Sequence, residues 1–469
     1  MCPPLQRQGK NTTQNTTEMK KTLILLLLGL VLLTQAASPK YIFLFIGDGM
    51  STPQRMIADE FARKAGHGHL TMNTLHYSAT TRTCSSSSLV TDSAAAATAI
   101  ACGEKTVNGR IGMSADGERK LESCAEVAHK KGKKVGIITS ITINHATPAG
   151  FYAHRKARGE LYRISLDLVN SGFEYFGGGG FANKHNDTKD SEYKGNIFDL
   201  AAAAGYTICK DKESFFALPP KVDKLIAVNC DGGLPFAIDG QDQSPTLADY
   251  TRKGIEILDN PNGFFFMIEG GEIDHCGHAN DAASNLREVL ALDDAVRVAM
   301  EFYEKHKDET LVIITGDHET GGMTMGFAGT GYNLYMERLA NQKCSISKFR
   351  EIVVKAKKEK ADFSFEDAKP LLQNYFNFAF EGDVKENPMV VTEKELASLE
   401  EGFKADKPDR ADKFANAARL LISAKSGVGW TSGAHTALPV LTTSQGVGSE
   451  LFTGFIENTD ISIKIKSLL

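Results

Sequence analysis

Asp48, Glu269, Asp274 and Asp317, together with His278, His318 and His435, are side chains that can hold cations, and most of them fall just past a short apolar run. Carboxylates gathered in one place repel unless cations neutralise them. Mixed imidazole and carboxylate donors suit zinc, whereas an oxygen-only set suits magnesium. The spacing Asp274-x-x-x-His278 puts both side chains on one face of a helical turn. Asp317-His318, directly after an apolar run, sends neighbouring side chains to different sides, which lets one short segment serve two metals. Two metals about 4 Å apart suit in-line displacement at phosphorus, one stabilising the entering oxygen and the other the leaving oxygen.

A nucleophile for that chemistry stands in Leu89 to Ala99, where Asp92-Ser93 opens a run of small residues. Alanine favours helix, and Asp or Ser suits its first position, where side-chain oxygens cap unpaired N–H groups. Ser93 then faces the positive end of the helix dipole, a natural place for a phosphate. Metal coordination can deprotonate such a hydroxyl. Arg158 offers a planar fork that matches two phosphate oxygens. Taken singly, each residue has an ordinary reading. Gly-Asp-Gly and Asp-His serve turns, Asp92-Ser93 caps an Ala-rich helix, and Arg158 belongs to a solvated basic turn, Arg155-Lys156-Ala157-Arg158. Seven metal-ligand candidates in such company are hard to assign to turns alone.

The elements that must position these residues are short strands. Tyr41–Ile46, Lys134–Thr139, Gly263–Ile268 and Leu311–Thr315 are apolar runs, separated by helix-like segments such as Leu121–Lys131 and Ala282–His306. The pattern predicts an α/β fold of three layers, a central mostly parallel sheet with helices on both faces. Ligands in such sheets bind beyond the carboxyl ends of the strands, so the clusters at Asp48, Asn144–Thr147, Glu269–His278 and Asp317-His318 are expected to converge on one edge. The glycine run in Glu174–Phe181 is expected to be a tight loop after a strand, since no Lys-Ser/Thr follows it as in a phosphate cradle. Residues 329–429 are charged and helical in pattern, with a capping box at Thr392-Glu393-Lys394-Glu395. They are read as a helical insertion flanking the site, or equally as a solvated surface insertion with no functional role. The sheet resumes near Val428–His435, and Leu438–Thr443 and Leu451–Glu457 close the core.

Of the 469 residues, 42% are hydrophobic and 24% charged, enough for a sizeable core. The formal net charge of −5, without basic runs interleaved with aromatics, argues against a nucleic-acid partner. Lys20-Lys21, the apolar Thr22–Leu33 and Thr34-Gln35-Ala36-Ala37 read as an export signal starting at Met19, with residues 1–18 upstream of it. Residues 1–36 are therefore set apart from a domain spanning 37–469. No Cys follows the cleavage region and no apolar tail precedes Leu469, so no membrane anchor is expected after cleavage and the protein is expected to be periplasmic or secreted. Seven cysteines follow the signal, an odd number that leaves at least one unpaired in the mature chain.

Gly47-Asp48-Gly49-Met50, Val90-Thr91-Asp92-Ser93-Ala94-Ala95, His145-Ala146-Thr147-Pro148-Ala149, Glu269-Gly270-Gly271-Glu272-Ile273-Asp274-His275 and Thr315-Gly316-Asp317-His318-Glu319-Thr320-Gly321-Gly322 resemble the motifs of the alkaline phosphatase family, in its exported bacterial type. The resemblance runs from about Lys40 to Gly326 and resumes at Trp430. It implies hydrolysis of phosphate monoesters, a phosphoseryl intermediate on Ser93, two zinc ions and one magnesium. Asp274, His278 and His435 would hold the first zinc; Asp48, Asp317 and His318 the second; Asp48, Thr147 and Glu269 the magnesium. Arg158 would bind phosphate, steadied by Asp92, while His145 and His275 stand behind the ligands, where the chain is similar to animal members. The expected partners are small phosphomonoesters, and the resemblance admits a homodimer. A related exported phosphodiesterase would use Thr as nucleophile, and a sulfatase a Cys/Ser-x-Pro-x-Arg context. Neither pattern stands at Ser93. A non-catalytic phosphate- or metal-binding protein would need no activated serine.

Overall fold

The computed structural model describes residues 38–182, 186–229, 231–240, 242 and 244–469; the upstream stretch and export signal expected over residues 1–36 lie outside the described residues. Ten strands form one sheet in the order Gly454–Glu457, Tyr77–Arg82, Val440–Gly446, Thr310–Gly316, Tyr41–Gly47, Phe264–Gly270, Lys134–Thr142, Tyr175–Gly179, Leu225–Val228, Thr207–Cys209. Val440–Gly446 runs antiparallel to both neighbours. The other ladders are parallel. The expected mostly parallel sheet is therefore present.

Tyr41–Gly47 shows why the strands read as continuous apolar runs. Tyr41, Phe43 and Phe45 pack into one core with the helices Thr52–Lys64, Leu247–Leu258 and Ala282–Tyr303. Ile42, Leu44 and Ile46 pack into the opposite core with Ser93–Cys102, Cys124–Lys130 and Leu161–Ser171. Both faces are buried, so period-two alternation disappears from the sequence. Each such side chain contributes about 1.5–3 kcal/mol by burial.

Two elements depart from expectation. The glycine run is not a loop: Tyr175–Gly179 is a buried strand. Side chains there would collide with the neighbouring strand, since a Cβ at Gly178 would lie 1.8 Å from the Thr139 carbonyl oxygen and one at Gly179 2.0 Å from that of Ile141. The glycines let two strands approach where the register slips between Thr139 and Thr142. The chain also does not end on its last strand: Asn458–Leu468 is a helix. Its buried Ile461, Ile465 and Leu468 recur at helical spacing and pack into the second core.

Within residues 329–429, the helices Ile346–Glu359, Phe365–Phe376, Glu393–Ala405 and Asp412–Ser426 surround a third core containing Phe349, Leu372, Phe376 and Phe414, while Met336 and Leu339 of the short helix Met336–Leu339 pack into the first core. Thr392 and Glu395 exchange the hydrogen bonds of the expected capping box. The segment is tied to the rest by carboxylates: Ser345 donates to Asp239, and Gln342 and the Ile346 amide donate to Asp281. Among the described residues Cys84, Cys102, Cys124, Cys209, Cys276 and Cys344 are free thiols. Also among them, no helix is long and apolar enough to cross a membrane.

Gly178 sits at φ +110°, so Gly178→Ala should destabilise the chain by at least about 2 kcal/mol through overlap and backbone strain. Urea unfolding measures this; a loss under about 0.5 kcal/mol, the range of an ordinary surface change, would refute the close-approach account.

Candidate active site and metal centre

Strand register assembles the site. Gly47 lies opposite Gly270 on one side and Gly316 on the other, so Asp48 and Asp317 leave the sheet together, beside Glu269. Gly49, at φ +71°, turns the chain over this edge, and a Cβ there would lie 2.9 Å from the Asp274 Cα. Asp274 and His278 share the helix Glu272–His278 as their spacing predicts, with His278 Nε2 3.3 Å from Asp274 Oδ2. His435 arrives on a two-residue strand paired antiparallel to Glu319-Thr320. Its ring stacks on His318 at 3.6 Å between centroids, and its Nε2 lies 3.2 Å from His278 Nε2.

These residues form three groups whose ligand atoms lie within 4.8 Å of one another: Asp274, His278 and His435; Asp48, Asp317 and His318; and Asp48, His145 and Glu269. The first two match the expected zinc sets. Asp48 belongs to two groups, as expected. Thr147 is beside the third, its hydroxyl donating to Asp48 Oδ2 at 3.3 Å. His145 enters that group although sequence reasoning put it behind the ligands. Its bonding explains its role: a guanidinium can only donate, so Arg158 Nη2, 2.8 Å away, takes the lone pair of His145 Nε2. Burial, and then the charge of Arg158, push its pKa down to about 3, so the ring is neutral with its proton on Nδ1.

The donor set fits cations on direct observation. Asp48 Oδ1, Asp317 Oδ2 and Glu269 Oε1 are buried without a hydrogen-bond partner. Burial is rarely tolerated for such atoms unless something else satisfies them. Burial first, then the Asp317 and Asp274 carboxylates, pushes Asp48 well above the usual carboxylate range. Burial and Asp274 do the same to Asp317. Burial takes Glu269 to about 7 against the opposing hydroxyls of Thr139 and Thr147. Asp274 differs: burial pushes it up, but His278, His318 and His435 outweigh this and hold it below the usual range. The bond to Glu272 raises His275 to about 9.

Ser93 is the first residue of the helix Ser93–Cys102, and its Oγ lies 3.2 Å from His318 Nε2. Asp92 caps the helix: Oδ1 accepts the Ala95 amide, and Oδ2 accepts the Gly109 amide and Arg158 Nη1 at 3.1 Å. The bonds to Asp92 and His145 aim the remaining guanidinium donors of Arg158. His275 bonds Glu272 at 2.8 Å and stands 6.3 Å from His145 between ring centroids, outside the three groups. Sequence reasoning assigned no role to Thr139, Glu272, Glu319 or Thr320. Thr139 donates to Glu269, and Thr320 donates to Asp274 and contacts His318 Nδ1 at 3.3 Å. Glu319 and Thr320 stand in the Asp-His-Glu-Thr run already quoted, and a polar pair directly after two ligands was the available signal.

Residues 39–469 match the family model described as alkaline phosphatase. The chain is 34% identical over 380 residues to alkaline phosphatase 4 of Bacillus subtilis (strain 168), a match covering 79% of this chain and 75% of that protein. Among solved structures it is similar to the cold-active alkaline phosphatase of the psychrophile Shewanella sp., with a TM-score of 0.77 and 26% identity over 92% of this chain and 99% of that one. It is also similar to a variant of the alkaline phosphatase of the Antarctic bacterium TAB5 with magnesium bound in its M3 site, with a TM-score of 0.64 and 28% identity over 92% of this chain and 99% of that one. Matches spanning the sheet, the site and the final helix establish that the chain belongs to the alkaline phosphatase family, phosphoric monoester hydrolases.

Proposed function

We propose that this chain is an exported alkaline phosphatase that hydrolyses small phosphate monoesters through a phosphoserine on Ser93, using two zinc ions and one magnesium. The observation that carries the reading is Ser93 Oγ, buried at a helix N-terminus and 3.2 Å from His318 Nε2, a metal-ligand candidate. Asp274, His278 and His435 would hold one zinc; Asp48, Asp317 and His318 the other. The oxygen donors of Asp48, Thr147 and Glu269 suit magnesium, and the magnesium-bound TAB5 variant supports that ion. The cations would offset the repulsion among the carboxylates and lower the proton affinity of the Ser93 hydroxyl and of the attacking water.

Arg158 binds two non-bridging oxygens of the phosphoryl group while Asp92 and His145 hold its guanidinium plane. Ser93 Oγ attacks phosphorus in line, its bond to phosphorus forming as the ester P–O bond breaks and the alcohol departs with a proton. The helix dipole behind Ser93 favours the phosphoryl charge. Water then attacks the phosphoserine from the side vacated by the alcohol. The P–Oγ bond breaks, inorganic phosphate leaves, and Ser93 Oγ regains a proton. Two in-line steps give retention at phosphorus. Residues 329–429 are proposed as a helical insertion flanking the site. Its ties to Asp239 and Asp281, the latter just past the Glu272–His278 helix, support this.

Ser93→Ala should lower p-nitrophenyl phosphate turnover by about 10⁴-fold or more, the scale of deleting a nucleophile, and abolish acid-trapped phosphoserine in mass spectra. Retained turnover would sink the mechanism. Arg158→Ala should raise the inhibition constant of inorganic phosphate about 10–100-fold, the equivalent of one or two charged hydrogen bonds; an unchanged constant would remove Arg158 from phosphate binding. A cation at 1,000 times its Kd stabilises by about 4 kcal/mol, so chelation should lower Tm by calorimetry and added zinc restore it. An unchanged Tm after verified metal removal would contradict the cation assignment.

A further inference from the structure

We propose that Glu319 is a positioning residue whose side chain fixes, in one place, three of the four segments that carry the ligands of the two zinc groups. The inference rests on the metal reading above and deepens it. Glu319 is fully buried and touches none of the three ligand groups as a member. Its two oxygens each accept two hydrogen bonds. Oε1 accepts Gln54 Nε2 at 2.7 Å and the Met323 amide at 3.1 Å; Oε2 accepts the Gly322 amide at 3.0 Å and the Thr436 hydroxyl.

Those donors come from distinct ligand-bearing segments. Gln54 opens the helix that follows Asp48, and its Oε1 accepts the Ser51 amide at 3.1 Å, which closes the turn after that ligand. Thr436 is the residue after His435, and the pair lies antiparallel to Glu319-Thr320. Glu319 itself follows Asp317-His318. The turn that brings the Gly322 and Met323 amides back to the side chain needs Gly321 at φ +94° and Gly322 at φ +58°. A Cβ on Gly322 would lie 1.7 Å from Thr431 Oγ1. Two glycines are thus spent on aiming backbone amides at one side chain.

The chemistry of the hub requires acceptors only. A carboxylate presents two oxygens to four donors. An amide of the same shape presents one oxygen and one NH2, so whichever way it turns, two donors face a donor. Polar groups standing behind metal ligands typically set metal affinity by about 10–100-fold. Glu319→Gln should therefore weaken both zinc positions by about that factor. Thr436→Val removes a single donor, the one beside His435. It should weaken the position held by Asp274, His278 and His435 and leave the Asp48, Asp317 and His318 position at its wild-type affinity.

The test uses the full chain in nitrilotriacetate-buffered zinc, counting protein-bound zinc by mass spectrometry across a series of free zinc concentrations, with Tm of the metal-free proteins measured in parallel. The expected result is two zinc equivalents in wild type, both displaced to about 10–100-fold higher free zinc in Glu319→Gln, and one displaced in Thr436→Val. Zinc titrations that superimpose on wild type, even with a lowered metal-free Tm, would reduce Glu319 to a structural residue and overturn the proposal. If Glu319→Gln does not fold, the Thr436→Val titration decides alone, one displaced equivalent supporting the hub and none overturning it. A wild type that binds no zinc would overturn the metal reading itself, an outcome distinct from unchanged affinities in the variants.

Discussion

Self-repulsion among buried carboxylates is the constraint around which this molecule is built. Asp48, Glu269 and Asp317 are wholly buried and Asp274 nearly so. Their ion-pair partners among the described residues are imidazoles rather than lysines or arginines. Such charges are stable only if a frame holds them and cations offset them. The frame is the centre of the sheet, where three parallel strands in fixed register deliver Asp48 and Asp317 at one level and Glu269 two positions before it. Glycines at the strand ends leave room for the chain to fold across them: a Cβ on Gly316 would lie 2.0 Å from the Met50 carbonyl oxygen. Sheet register and carboxylate crowding are therefore two sides of one design, since a one-residue slip would turn every side chain to the opposite face.

The sequence makes part of this legible and hides the rest for physical reasons. Runs such as Tyr41–Ile46 announce buried strands because both faces are covered, and polar residues clustered at their ends announce the edge where a site forms. Asp274 and His278 announce each other because four residues make one helical turn. Gly178 and Gly179 mislead because a glycine in a strand is justified by what approaches it, here the Thr139 and Ile141 carbonyls, distant in sequence. Glu319 was visible as a residue but not as a hub, because its donors come from positions 54, 322, 323 and 436. His145 is expected behind the ligands, and that its Nε2 lone pair is taken by Arg158 is a matter of geometry the sequence does not carry.

The same logic explains how one ordinary helix cap would serve the proposed reaction at Ser93. Asp92 satisfies a helix amide, a loop amide and a guanidinium at once. Capping alone would have needed only the first. The second ties the loop at Gly109 to the helix entrance, and the third fixes one terminal nitrogen of Arg158 beside that entrance. A group that donates to phosphate must be held before the phosphate arrives, or its ordering entropy is lost on binding. Asp92 and His145 accept from the two terminal nitrogens of Arg158 and hold its plane from one side.

Placing the proposed nucleophile Ser93 also requires that its helix not slide. Ser93–Cys102 is short, and its alanines offer little side-chain surface to anchor it. The final helix supplies the anchor: Ser462 Oγ donates to the Ala101 carbonyl at 2.7 Å, and Lys466 Nζ donates to that of Cys102 at 2.8 Å. Gly103 ends the helix Ser93–Cys102 at φ +81°, beside Ile463 and Ser462. The last carbonyls of the helix are thus bound by residues more than 350 positions away. That contact joins the bonds of Thr98 to the Arg110 carbonyl and from the Gly112 amide in holding the helix, and with it Ser93 Oγ, in place. The final helix, Asn458–Leu468, therefore helps to hold Ser93 in place without touching the site, and the family match continues to residue 469.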